Sequence, residues 1–117
     1  MYGERAFTRA EDEALLRHYA SGMKVFDIAG EMQVDAKQVA SRLARLLLAA
    51  DGRLDTDDDS PRARRRYEAW ELERMHQAYG AGLPLRQIAD DLGRSQLGVG
   101  WRMLDLRIPS VPEGPAR

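Results

Sequence analysis

The segments FTRAEDEALLRHYASGMKVFDIAGEMQVDAKQVASRLARLL (residues 7–47) and YEAWELERMHQAYGAGLPLRQIADDLGRSQLGVGWRMLDLR (residues 67–107) align without a gap at a constant offset of 60 residues, and this repeat decides how the chain is read. The identical pairs are Glu11/Glu71, Glu13/Glu73, Tyr19/Tyr79, Gly22/Gly82, Ile28/Ile88, Ala29/Ala89, Val39/Val99, Arg42/Arg102 and Leu46/Leu106. Phe7/Tyr67, Leu15/Met75, Met23/Leu83, Val25/Leu85 and Met32/Leu92 keep apolar character. The matches fall at apolar periods and at a turn glycine, where a repeated fold needs them.

Within the first copy, Thr8 followed by Glu11 is a capping-box signature, so a helix is expected from there to about residue 21, ended by Gly22. Apolar residues at three- and four-residue steps, Val25, Ile28, Ala29 and Met32, predict a short second helix. Asp35 is placed to cap a third helix running to near Gly52. Its inward positions are expected to be Val39, Leu43, Leu46 and Leu47, leaving Lys37, Gln38, Ser41 and Arg45 on the wet face. The second copy repeats the plan, with Gly82 as the stop, Pro84 near the start of its short helix, Gly93 in the turn, Ser95 as the last cap and Pro109 as the end.

Between the copies the composition turns from acidic (Asp55, Asp57, Asp58, Asp59) to basic (Arg62, Arg64, Arg65, Arg66) across Ser60 and Pro61. Ser60 and Pro61 have the chemistry of a helix start, which predicts a longer first helix in the second copy. The expected organisation is a unit over 1–48, a charged linker over 49–66, a second unit over 67–108 and an irregular tail over 109–117.

Composition supports an all-α chain: of 117 residues, 44% are hydrophobic and only 7% aromatic, with Ala, Leu, Arg, Glu and Asp abundant. With no cysteine, disulfides and thiolate chemistry are excluded. No secretory leader opens the chain and no apolar run approaches the roughly 20 residues a membrane helix needs, so a soluble, cytoplasmic protein is expected. The balance of 18 basic and 19 acidic residues, net -1, means that any phosphate contact must come from a local patch.

The pattern Ile88-Ala89-x-x-Leu92-Gly93-Arg94-Ser95, followed by Val99 and Arg102, resembles the helix-turn-helix of Myb/SANT-type repeats. The first copy resembles the start and core of such repeats through Phe7-Thr8, Glu11-Asp12, Leu15, Tyr19, Gly22, Ile28-Ala29, Met32, Val39 and Arg42. Those repeats usually hold three spaced tryptophans, whereas this chain has Trp70 and Trp101 alone. The resemblance implies two tandem three-helix units, with a third helix entering the major groove of double-stranded DNA, or a protein-binding role as in SANT members. It also implies a small transcriptional regulator, nucleoid-associated if it binds DNA.

Lys37, Gln38, Ser41 and Arg45 have the chemistry of a recognition face, because lysine and arginine reach guanine or phosphate and glutamine pairs with adenine; a solvated helix face is the plainer alternative. On the second copy the equivalent set is Arg94, Ser95 and Gln96, then Gly98 and Gly100, which carry no reading side chains but would let a backbone come close. Arg9 and the cluster Arg62, Arg64, Arg65 and Arg66 are candidate phosphate contacts, with self-neutralisation by the neighbouring aspartates equally open. The recurrence of Arg42 and Arg102 with the glutamates of the first helices suggests a structural ion pair between helix three and helix one.

A calcium loop starting at Asp55 fails, because Ser60 stands where glycine is needed and Arg66 where a bidentate glutamate is needed. His18 and His76 have no ligand-spaced partners, so no metal or other cofactor is expected. No nucleophile elbow or phosphate-cradling loop is present, and an enzyme is not expected. The rival to DNA is a protein partner or homodimer held by Leu47, Leu48, Leu97 and Trp101; their burial against one another would remove that surface.

Overall fold

Six helices and no strand form among the residues that the computed structural model describes, 6–50, 54 and 65–109. They are α1 (Arg9–Ala20), α2 (Val25–Met32), α3 (Ala36–Leu47), α4 (Ala69–Gly80), α5 (Leu85–Leu92) and α6 (Gln96–Asp105). Adding 60 to the bounds of α1 and α2 gives those of α4 and α5, and adding 60 to the start of α3 gives the start of α6.

The ends follow from local chemistry. The Thr8 hydroxyl accepts from the Glu11 N–H at 3.1 Å while the Glu11 carboxylate accepts from the Thr8 N–H at 3.0 Å, so two of the orphan donors of α1 are satisfied reciprocally. Asp35 accepts from the Lys37 N–H at 2.8 Å at the start of α3, and Ser95 accepts from the Gly98 N–H at 3.0 Å at the start of α6. At the other ends, Met23 N–H donates to the His18 carbonyl, Val34 to Ala29, Leu83 to Ala78 and Arg94 to Ala89. Each is the six-to-one bond of a Schellman stop, and each needs a left-handed residue just past the helix: Gly22, Gln33, Gly82 and Gly93.

The core is continuous across the two halves of the sequence. Leu15, Val25, Ile28, Val39 and Leu43 pack from the first half, and Met75, Leu85, Ile88, Val99 and Met103 from the second. The most extensive helix pairing joins α3 to α6, ahead of α2 with α3 and α5 with α6. Gly100 sits at this junction: a Cβ there would crowd Leu85 Cδ2 of α5 at 3.1 Å and would meet α3 at ordinary contact distance, 3.5 Å from Ala44 Cβ and 3.8 Å from Leu48 Cδ1. Polar links tie the same junction. The Tyr19 hydroxyl donates to the carbonyl of Leu104 at 3.0 Å, Asp105 accepts from the Val25 N–H at 3.0 Å, and Arg107 donates to the Met23 carbonyl with its guanidinium over the Tyr19 ring.

Several expectations are corrected here. Helix α3 stops at Leu47, capped at Leu48, rather than near Gly52, and Ala49 turns the chain away at φ 52. Leu46, expected inside, is 36% exposed, while Ser41, expected on the wet face, is 8% exposed. Both follow from α6 covering the Ala40, Ser41 and Ala44 side of α3. Helix α4 begins at Ala69 after four non-helical residues, 65–68, so no lengthened helix is found there; the expected start at Ser60 and Pro61 lies outside the described residues. Helix α6 ends at Asp105, four residues before Pro109. Ala50 and Leu54, assigned to the linker, are buried in the core.

Candidate nucleic-acid interface

On α3 the cap at Asp35 fixes the first turn and sets Lys37 in solvent, with Gln38 half-buried and Arg45 exposed farther along. Arg42, on the same helix, reaches back to α1: its Nε and Nη2 donate to the two Asp12 carboxylate oxygens at 2.8 and 2.6 Å. Its guanidinium lies 5.9 Å from the Phe7 ring centre. The helix-three to helix-one clamp suggested by the repeat is therefore present in the first half, through Asp12. Arg9 is exposed on α1 beside Glu13, at 3.6 Å.

In the second half the clamp uses a different arginine. Arg94, in the turn before α6, is 7% exposed, and Glu71 is fully buried. Arg94 Nε donates to Glu71 Oε2 at 2.6 Å and Nη2 to Oε1 at 3.0 Å, while Glu71 Oε1 also accepts from the Glu68 N–H at 3.0 Å. The remaining donors of Arg94 reach the carbonyls of Arg65 and Arg66 at 2.9 and 3.1 Å, and the guanidinium stacks 3.7 Å from the Tyr67 ring centre. The hydrogen bonds to Glu71 raise the Arg94 pKa above its ordinary value. Arg94 was expected to face DNA; the buried ion pair gives it a structural position instead. Burial raises the Tyr67 hydroxyl above its ordinary value.

Arg65 and Arg66 are exposed, whereas Arg62 and Arg64 lie outside the described residues. Ser95 spends its hydroxyl on the cap, and the Gln96 Oε1 is buried without a hydrogen-bond partner among the described residues. An open groove of about 310 Å³ runs beside α6, lined by Arg65, Tyr67, Gly98, Trp101, Arg102 and neighbours. Subtracting 60 from Gly98, Trp101 and Arg102 gives Gln38, Ser41 and Arg42, so the groove occupies the repeat equivalent of the face singled out on α3. The parallel extends to the rings: Arg102 stands 5.7 Å from Tyr67 as Arg42 stands 5.9 Å from Phe7. Tyr67, Trp101 and Arg102 are not among the DNA contacts expected from the sequence, where Trp101 belongs to the rival protein-binding set and Arg102 to a structural ion pair.

Leu48 and Leu97 are buried, Leu47 and Trp101 half-buried, so this set does not form one exposed apolar patch. Among the described residues, the large apolar side chains left exposed are Phe26, Leu46 and Trp70. No group of metal-ligating side chains occurs among the described residues, and no described helix is long and apolar enough to cross a membrane. Comparison with protein-family models, with curated proteins and with solved structures finds no match for this chain.

Proposed function

We propose that the chain is a DNA-binding protein, a small transcriptional regulator built from two tandem Myb/SANT-like helix-turn-helix units that act as one body. The observation that carries this reading is the direct packing of α3 on α6 with Lys37 and Arg45 left in solvent on α3. Two helices in the third position of a three-helix plan then move together, and a cationic face on one of them meets the phosphates flanking a groove. In this reading Gln38 contacts base edges, and Lys37, Arg45, Arg65 and Arg66 contact phosphates. Ser41 is too buried to reach a base, and Ser95 serves as a cap. The protein works in the cytoplasm, on the nucleoid, without a cofactor or catalytic step.

Lys37→Ala with Arg45→Ala tests this reading. The pair should weaken binding to a mixed-sequence duplex by at least about tenfold and lower its salt dependence by about two phosphate contacts. Unchanged binding would remove α3 from the interface.

One observation favours a second reading, a protein-interaction module. Phe26 is 72% exposed and Trp70 47% exposed. Large aromatics held in solvent are the side chains that anchor protein partners. In that case Phe26→Ser and Trp70→Ser would abolish partner capture, and the arginine and lysine substitutions would not affect it.

A further inference from the structure

Cationic and aromatic side chains line an open groove of about 310 Å³ beside α6. Arg65 enters it from the segment before α4, and Arg102 from α6. The main chain that carries Arg65 is not loose, because Arg94, held by buried Glu71, donates to the Arg65 and Arg66 carbonyls. One arginine thus springs from a pinned segment and the other from a helix, so less ordering is required when a ligand arrives. Trp101 and Tyr67 line the same groove. Gly98 keeps it open: a Cβ there would stand 3.0 Å from Ser95 Oγ and 3.6 Å from the Tyr67 hydroxyl. Asp105, the acidic residue of the lining, has Oδ1 engaged with the Val25 N–H.

We propose that this groove binds a backbone phosphate of a nucleic-acid strand, with Arg65 and Arg102 as its cationic ligands and Trp101 as the wall against the adjoining sugar. Two guanidinium forks from separate elements suit the several acceptor oxygens of a phosphodiester. This inference rests on the DNA-binding reading and extends it. It assigns the second half of the chain a positioning contact, in keeping with the glycine at 98 where a base-reading helix would carry a side chain.

The test starts from Trp70→Phe, which leaves Trp101 as the sole tryptophan. A labelled mixed-sequence duplex is titrated by anisotropy at several salt concentrations while Trp101 emission is followed, and the titration is repeated for Arg65→Gln/Arg102→Gln and for Arg102→Lys. The duplex should change Trp101 emission, the double variant should lower the salt slope by about one, the single phosphate the groove holds, and Arg102→Lys should keep the slope of its parent. Tight duplex binding with unchanged emission and an unchanged slope in the double variant would overturn the groove while leaving DNA binding in place. Absence of duplex binding by the parent would overturn both. A response of Trp101 to millimolar inorganic phosphate but not to the duplex would overturn the nucleic-acid assignment.

Discussion

Gly100 on α6 lies opposite Ala44 on α3, where a Cβ on the glycine would meet the alanine methyl in van der Waals contact at 3.5 Å and leave no room for a longer side chain. Glycine in a helix interior costs about 1 kcal/mol relative to alanine, and here it accompanies close contact between the two helices. Gly100→Leu should therefore force α3 and α6 apart and lower unfolding stability by about 1–3 kcal/mol in urea titration. A variant as stable as the parent would mean that the helices do not meet as described.

Arg94 and Glu71 form the most buried ion pair among the described residues. Removing one partner leaves the other charge buried, so Arg94→Met or Glu71→Gln alone should cost about 3–5 kcal/mol. Replacing both with apolar residues, Arg94→Met with Glu71→Leu, should recover much of that loss. Equal losses in the single and double variants, measured as a double-mutant cycle, would contradict this picture.

Exposure should grade the other pairs. Arg42 and Asp12 have side chains 25% and 19% exposed and bind through two hydrogen bonds, whereas Arg74 and Asp91 are 52% and 43% exposed. Asp12→Ala is expected to cost about 1.5–3 kcal/mol, and Asp91→Ala less than about 1 kcal/mol. The reverse order in denaturant midpoints would count against the geometry of the α1–α3 clamp.

Gln33 ends α2 at φ 58, where its repeat equivalent Gly93 ends α5 at φ 67. A side chain in the left-handed region costs about 1–2 kcal/mol, partly offset by the greater freedom of glycine in the unfolded chain. Gln33→Gly should raise stability by about 0.5–1 kcal/mol, visible as a higher urea midpoint; a lower midpoint would show that Gln33 does more than end the helix.

Burial raises the hydroxyl pKa of both Tyr67 and Tyr19 in the folded protein. The folded state thus holds its protons more tightly than the unfolded state, so this contribution is intact below about pH 10 and is lost as pH rises through the raised folded values. Urea midpoints should fall on going from about pH 9 to about pH 11, and Tyr67→Phe should make that fall shallower. An equal fall in the variant would assign the alkaline sensitivity to other groups.

Local chemistry was legible in the sequence wherever one residue acts on its neighbours. Thr8, Asp35 and Ser95 cap where their side chains suggest, and the glycines at 22, 82 and 93 sit just past helix ends in left-handed backbone. Reading failed where a partner lay far along the chain. Ser41 and Leu46 exchanged their expected environments because α6 covers one side of α3, which the periodicity of α3 cannot reveal. Arg94 looked like a surface contact because its partner Glu71 precedes it by 23 residues and no short-range signal links them. The groove at Tyr67, Trp101 and Arg102 was obscured because each of its residues also fits a plainer role in packing or pairing.

Salt dependence separates the proposed DNA-binding role from a protein-binding one, because only the former releases counterions from phosphates. Fluorescence anisotropy of a labelled mixed-sequence duplex at about 50 and about 200 mM salt should show binding at the lower salt that weakens by orders of magnitude at the higher, as several phosphate contacts require. No binding at the lower salt would exclude the DNA-binding role and point to a protein partner at Phe26 and Trp70.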